Sequence, residues 1–464
     1  MRTETIKNKV NPVLLLQWLV VFLVPLVIMM IPTTELFTQP MKLFFVITTA
    51  GILILAFEFF DYGLAAMFIP AFYVLSGIVP AQTAYSGYVS NIPWLVLGAL
   101  LLTEVLDETG LLKRIAYWCI LKCGGTYKGV VWGIFCAGLI LTLLTSGSAN
   151  FLLPALCYGI CKSLGLKKSP EAAVIMFAGC ISTISTTPLV YKPAFMGLAL
   201  GGARTVMPEL GVSWFGYFWH NIPNIFFCIL LIFLSFVVFR PKCAVDGTAY
   251  FRTEYAKLGK ISPKETKAFA LTIILLIFLL TTNLHHIAME WGFVLLPWLF
   301  LLPGINCADA QTVRKVNFSM VLFVGSCLCI GSVSAALGVG SLISQTISPL
   351  LAGVSATGVI AIVWVLGFAV NFVLTPLAAC GALSGPLTQI ALDVGINPLV
   401  VIYTLIGSMD QLLLPYEYVS YAIFFAFGLM STQHFVKFMA VKTCCHLVFL
   451  MLILVPWWKF VGLL

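Results

Sequence analysis

The sequence predicts an all-α polytopic membrane protein of about 11 transmembrane helices in two inverted repeats, each holding a re-entrant hairpin and a broken helix. Composition is the first reason: 61% of residues are hydrophobic, 9% are charged and mean hydropathy is +1.07, whereas soluble domains carry about 25% charge. The second is that apolar runs able to cross about 30 Å of hydrocarbon recur from end to end. The third is a duplication: residues 152–202 and 383–429 read as two copies of one pattern. Each copy has a Pro-bearing apolar segment after small residues (Pro154, Pro386), a Gly-containing turn (165–170, 395–398), and an apolar run with a broken, polar middle. Duplicated, interrupted apolar segments point to the binding site of a transporter.

The first span, 13–31, is too long for a signal-peptide core and lacks a cleavage site, so it reads as a retained helix. Arg2, Lys7 and Lys9 before it, and seven Lys or Arg residues in 240–267, place both segments on the cytoplasmic side. The net charge of +8 is thus a topology signal and not one for nucleic acid. Further spans fall at 43–60, 64–79 and 92–109; the basic segment 113–128 reads as a cytoplasmic-surface helix. Residues 130–144 cross again. The apolar stretch 151–160 is too short to cross and ends in Lys162, Lys167 and Lys168, which makes it part of a hairpin returning to the cytoplasmic side.

A span from 172 breaks at 185–193, and 225–239 closes the first half. The second half repeats the scheme with spans at 268–281, 291–302, 321–343 and 359–374, a hairpin at 375–394, a broken span at 399–427 and a final span at 436–455. If each half crosses an odd number of times, the halves are inverted. The divisions expected are an N-terminal scaffold (1–129), first-repeat transport elements (130–240, with hairpin 145–166 and broken helix 172–200), a cytoplasmic loop (241–266), a second scaffold section (267–358) and second-repeat transport elements (359–464).

Chemistry concentrates at the interruptions. Thr145, Ser146, Ser148 and Asn150 put four hydrogen-bonding side chains into six residues around Gly147. They suit an ion or polar substrate, and small-residue helix packing is the bland alternative. At the first break Ser182, Thr183, Ser185, Thr186 and Thr187 precede Pro188 and Pro193, where lost helix donors free carbonyls and amides. Lys192 is open to two readings, neutralising an anionic substrate or tethering the chain near the membrane surface. The second break offers Asp410, Gln411, Pro415 and Glu417; intramembrane acids usually serve ion or proton pathways, and the alternative is a structural pair with Lys192 or Arg204. Thr375 and Ala378 sit in the second hairpin beside Asn371, where carbonyls can hold a cation or small residues can pack. The five His residues read as interfacial, and Glu58, Asp61, Glu104, Asp107 and Glu290 as solvated span ends. Fourteen Cys residues without a C-x-x-C pair read as small hydrophobes, with neither zinc nor a structural disulfide expected.

With these residues in view, the chain resembles the divalent anion/sodium symporter family, the dicarboxylate and sulfate permeases of the ion transporter superfamily. The likeness covers nearly the full length. It implies two hairpins entering from opposite sides, a Ser-Asn-Thr motif at each tip that binds dicarboxylate and sodium, homodimers, and an elevator motion of a transport domain against a scaffold. Aligned on Pro154, the first motif falls on Leu144, Thr145 and Ser146; aligned on Pro386, the second falls on Pro376, Leu377 and Ala378. Neither triplet is intact, so an altered-specificity member is expected.

The expected function is a cation-coupled (Na+ or H+) secondary transporter of small organic or inorganic anions of the dicarboxylate, sulfate or sulfonate class. Thr145, Ser146, Ser148, Asn150, Thr186, Thr187, Pro188, Lys192, Thr375 and Pro415 are assigned to substrate, and Ser146, Asn150, Ser182, Thr375, Ala378, Asp410, Gln411 and Glu417 to the cation, with Na+ at the hairpin tips. The alternatives are a cation/proton antiporter using Asp410 and Glu417, and a membrane-embedded lipid-modifying enzyme, for which no H-E-x-x-H is present. No cofactor is expected beyond the coupling ion. Expected partners are a small anion, the lipid bilayer and a second copy of the chain, but no nucleic acid. The expected location is the plasma (inner) membrane, with a cytoplasmic N-terminus and an extracellular C-terminus.

Overall fold

The computed structural model describes residues 12–464 apart from 58, 146, 148–152, 243–247, 340, 343–344, 347–350, 352 and 373. Leaving single turns unlabelled, the first half of the chain forms α1 (Pro12–Met30), α2 (Gln39–Ala56), α3 (Tyr62–Leu75), α4 (Asn91–Glu108), α5 (Leu111–Lys122), α6 (Tyr127–Leu144), α7 (Leu153–Ser163), α8 (Pro170–Thr183), α9 (Pro193–Arg204), α10 (Trp214–Asn221) and α11 (Asn224–Phe239). There follow α12 (Thr248–Lys257), α13 (Pro263–Leu280), α14 (Met289–Leu295), α15 (Ala310–Lys315), α16 (Phe318–Ala336), α17 (Ala356–Val370), α18 (Pro376–Asp393), α19 (Pro398–Met409), α20 (Val419–Ala426), α21 (Thr432–Phe449) and α22 (Val455–Phe460).

The duplication read in the sequence is structural. In the first copy α6, a connection whose described residues include Thr145 and Gly147 (the first tip), α7, a turn, α8, a break at 184–192 and α9 follow one another; in the second, α17, a connection whose described residues include Asn371 and Thr375 (the second tip), α18, a turn, α19, a break at 410–418 and α20. The turns are built alike. Gly165 and Gly395 take φ of +66° and +71°, a left-handed cap that glycine adopts without a Cβ penalty. The amide after each reaches back five residues to close the helix, Leu166 to the Cys161 carbonyl and Ile396 to the Ala391 carbonyl, both at 2.8 Å. The next helix then starts on a side-chain cap followed by proline: Ser169 accepts from the Ala172 amide at 3.2 Å before Pro170, and Asn397 from the Leu399 amide at 3.0 Å before Pro398. Packing repeats too, since α8 lies on α6 and α7 as α19 lies on α17 and α18. The copies interlock where α9 packs along α18, and where Tyr158 of α7 stacks near Phe427, ring centroids 5.0 Å apart.

Around these elements α2 and α3 pack together, α3 and α4 lie on α16, and α14 on α4. Three helical stretches among the described residues are individually long and apolar enough to cross a membrane, α6, α16 and 432–460, with α10 and α11 adding a fourth if their 55° bend is one span. The remaining apolar helices are shorter pieces, because proline, glycine and the two breaks divide runs that hydropathy alone joins.

Several expectations need correction. The basic segment after α4 is not simply a surface helix: Arg114 of α5 is buried, pairs with Glu265 at 3.1 Å and donates to the Leu258 and Gly259 carbonyls. The loop expected at 241–266 contains α12 and the capped start of α13, where Ser262 and Glu265 bond reciprocally. Glu290 is not solvated; it is buried against Arg204 at 3.6 Å. His446 is not interfacial but buried, its Nδ1 accepting from Trp364 Nε1 at 2.8 Å. Glu58 lies outside the described residues.

Candidate functional site

The four interruptions meet at one cavity of about 650 Å³. Gly147 represents the first tip, Lys192 to Phe195 the first break and the start of α9, Thr375 the second tip, and Tyr418 to Ser420 the second break and the start of α20. The facing wall comes from elsewhere: Phe59, Phe60 and Asp61 between α2 and α3, Val96 and Ala99 of α4, and Asn317 and Met320 at the start of α16.

Five helix N-termini therefore border this space, and the first N–H groups of a helix carry its positive end. The facing wall neutralises its own: Asp61 accepts from the Gly63 and Leu64 amides at 3.0 and 3.1 Å, and Asn317 from the Met320 amide at 3.2 Å. On the repeat side Thr375 caps α18 through the Ala378 amide at 3.4 Å. Neither α9 nor α20 has a side-chain cap. At α9 Pro193 has no N–H, so the Ala194 and Phe195 amides are the first donors, and both residues line the cavity. Two uncapped helix starts on one wall form a receptor for negative charge.

Lys192 lies between the two readings left open for it. It is buried and not a surface tether. Its stem borders the cavity and packs on Gly147, but its ammonium turns back to the end of α8, donating to the Thr183 carbonyl at 2.5 Å, Thr187 Oγ1 at 2.7 Å and the Ile184 carbonyl at 3.4 Å. The other first-break hydroxyls serve the backbone or a neighbour. Ser182 and Thr183 donate to the Gly179 carbonyl, Thr186 to Ser182 and Thr183 carbonyls, Thr187 to Ile184, and Ser185 meets Tyr421 Oη at 3.2 Å. Thr145 is buried and bonded to the Leu141 carbonyl at 2.8 Å. Ser146, Ser148 and Asn150 lie outside the described residues. Pro188 and Pro415 are buried inside their breaks and border no part of the cavity.

At the second break Asp410 pairs with neither Lys192 nor Arg204. Its partner is Lys442 of α21, with Nζ 2.6 Å from Oδ2 and a further short bond to the Asp410 carbonyl, while Tyr421 Oη donates to Oδ1 at 2.8 Å. Asn371 Nδ2 crosses from the second tip to the Ser408, Met409 and Gln411 carbonyls at 3.1 to 3.3 Å. Gln411 Nε2 donates to the Gly407 carbonyl at 2.9 Å, and Glu417 Oε1 accepts from the Leu413 and Leu414 amides at 3.3 and 2.8 Å. Three acceptor oxygens are left buried and unpartnered here: Asn371 Oδ1, Gln411 Oε1 and Glu417 Oε2. Of the assigned residues, then, only Lys192 and Thr375 line the cavity among those described, Ala378 supports Thr375 through its amide, and Asp410, Gln411 and Glu417 stand behind the wall. Lys442 and the facing wall went unassigned. A lysine inside the final apolar run was the available signal for Lys442; nothing in the spacing marks the wall.

Comparison with known proteins adds three findings. A family model described as the sodium:sulfate symporter transmembrane region matches residues 13–464. The chain is similar to the L-tartrate/succinate antiporters of Escherichia coli (strain K12) and Shigella flexneri, each 22% identical over 391 residues that cover 81% of this chain and 80% of the relative. Among solved structures it is similar to the Alcanivorax borkumensis YdaH transporter, with TM-score 0.59, 14% identity and coverage of 92% of this chain and 99% of that one. It is also similar to Neisseria gonorrhoeae MtrF, described with a class of antimetabolite efflux pumps, with TM-score 0.59, 13% identity and coverage of 94% and 97%. At such identities these two structures speak for the fold alone.

Proposed function

This chain belongs to the sodium:sulfate symporter family, and from that premise we propose that it carries a small dicarboxylate, sulfate or sulfonate by cation-coupled secondary transport. As a family member it is a multi-pass membrane protein and an anion transporter, not an enzyme. The observation that carries the finer reading is the convergence of both tips and both breaks on one cavity, with the uncapped starts of α9 and α20 turned to it. An anion held there gains from two helix dipoles without the desolvation that a buried arginine would need.

Coupling falls to the second break. Three unpartnered oxygens, Asn371 Oδ1 of the second tip with Gln411 Oε1 and Glu417 Oε2 of the break, are the acceptors we assign to a small cation (Na+ or H+) behind the cavity wall. Movement is assigned to the two repeats against the α2, α4 and α16 wall, since the cavity lies on the seam between them, and an elevator displacement within a homodimer fits that division. The N-terminus is placed in the cytoplasm and the C-terminus outside.

Proteoliposomes test this reading directly. Labelled succinate, tartrate, sulfate or a small sulfonate is expected to accumulate under an inward sodium or proton gradient. Glu417→Gln, which keeps an oxygen for the Leu413 and Leu414 amides, is expected to remove the gradient dependence at least tenfold, a factor equal to about 1.4 kcal/mol, while leaving anion-for-anion counterflow. If no anion of these classes is accumulated or exchanged, the reading is wrong. Counterflow in wild type with no response to either gradient supports anion exchange instead, the activity named in the L-tartrate/succinate antiporters.

A further inference from the structure

The two breaks are equivalent in backbone and opposite in what remains open. Each ends a half-helix, whose last carbonyls lack helical partners and carry its negative end. Half-helix C-termini and unwound carbonyls of this kind coordinate the coupling cations of secondary transporters. At the end of α8 the Thr183 and Ile184 carbonyls and Thr187 Oγ1 converge on a single point, and that point is the Lys192 ammonium. An ammonium has three N–H donors and no acceptor, so three oxygens saturate it. Every serine and threonine hydroxyl from Ser182 to Thr187 has a partner, whereas the second tip and break keep Asn371 Oδ1, Gln411 Oε1 and Glu417 Oε2 unpartnered.

The tether is short and internal. Lys192 is also the residue from which α9 starts, so its backbone helps present the α9 amides to the cavity while its side chain closes α8 behind it. Gly147 of the first tip lies against the stem: a Cβ there would sit 2.6 Å from Lys192 Cγ and 2.7 Å from Cδ. Among the described residues no carboxylate bonds to this ammonium; the oxygens it binds are the neutral kind that also suit a bare monovalent ion.

We propose that the Lys192 ammonium is a built-in cation, occupying at the first break the place that an exchangeable coupling ion takes at the second. The inference rests on the cation-coupled reading above and narrows it: an amine joined to the chain cannot leave as a free metal ion does, so the first break carries no sodium. Any exchange of sodium with solution falls to the second break.

The test is the sodium dependence of thermal unfolding of the purified full-length protein, with choline chloride as the ionic-strength control. Lys192→Ala vacates the three oxygens and is expected to acquire a sodium response beyond that of wild type. At sodium about a hundredfold above its dissociation constant, a new site multiplies the folded-to-unfolded ratio about a hundredfold. Lys192→Asn, which supplies a favourable cap for α9 yet cannot reach α8 as lysine does, is expected to behave in the same way. Adding Thr187→Val to either should abolish the gain by removing one oxygen. Wild type is expected to titrate as one site, or not at all if protons couple. Two sodium sites with Lys192 intact overturn the proposal, and so does a wild-type sodium response in both variants. Because unfolding needs no anion flux, failure of transport and failure of this assignment are read separately.

Discussion

Lys442→Ala is expected to destabilise the protein by about 3–5 kcal/mol, since removing one partner of a buried ion pair leaves the other charge uncompensated. Lys442 is 1% exposed and Asp410 5%. The ammonium binds both the carboxylate and the backbone carbonyl of Asp410, so its loss strands an acid and an end of α19 together. The Tyr421 hydroxyl alone stays on Oδ1. Removing both charges is a different matter. Lys442→Met with Asp410→Asn keeps volume, and the Asn oxygen still accepts from Tyr421, so the double variant is expected to regain most of the loss. Thermal midpoints and purified yield of the two singles and the double decide it. A single Lys442→Ala as stable as the double variant would refute a charge-pair role.

Gly147→Ala is expected to lower anion transport at least tenfold, equivalent to about 1.4 kcal/mol in the barrier. Two effects act together. Gly147 has φ of +101°, a conformation that costs an L-residue on the order of 1–3 kcal/mol. A Cβ at this position also meets the Lys192 stem at 2.6 to 2.7 Å, and the ammonium at the far end of that stem is fixed to α8, so it cannot simply yield. Either the tip withdraws from the cavity or the lysine leaves its oxygens. Gly159→Ala, in α7 with open space around it, is the control and should transport as wild type does. Wild-type counterflow in the Gly147 variant would show that tip and lysine are not in register during transport.

The repeat was legible because its signals are local. Gly165 and Gly395, Pro170 and Pro398, and Ser169 and Asn397 each act on the nearest backbone, so the turns that separate the pieces stand in the sequence as they stand in the fold. The polar breaks at 184–192 and 410–418 announced themselves in the same way. What those polar groups do was not legible. Thr186 and Ser182 are as polar as any ligand, but their hydroxyls are spent on carbonyls of the preceding turn, an option open to any Ser or Thr at a helix end. The sequence marks Asp410 and Lys192 as polar residues in interrupted apolar runs and says nothing of whom they meet, because Lys442 lies 32 residues beyond Asp410 and its approach depends on how α21 packs. Helix ends were illegible for a related reason: hydropathy runs straight across a proline or a bend that divides one apolar stretch into two short helices.

The Asp410–Lys442 contact settles more than a charge, for it decides which helices share a common frame. α21 stands outside both copies of the duplicated unit, yet it is fastened to three of their members: through Lys442 to the end of α19, through His446 to Trp364 of α17, and through Phe438, whose ring lies 4.4 Å from that of Phe177 in α8. A boundary drawn by ancestry would cut the chain after α20. The boundary drawn by packing runs one helix later, because an ion pair, a hydrogen bond and a ring contact clamp α21 to the duplicated pair.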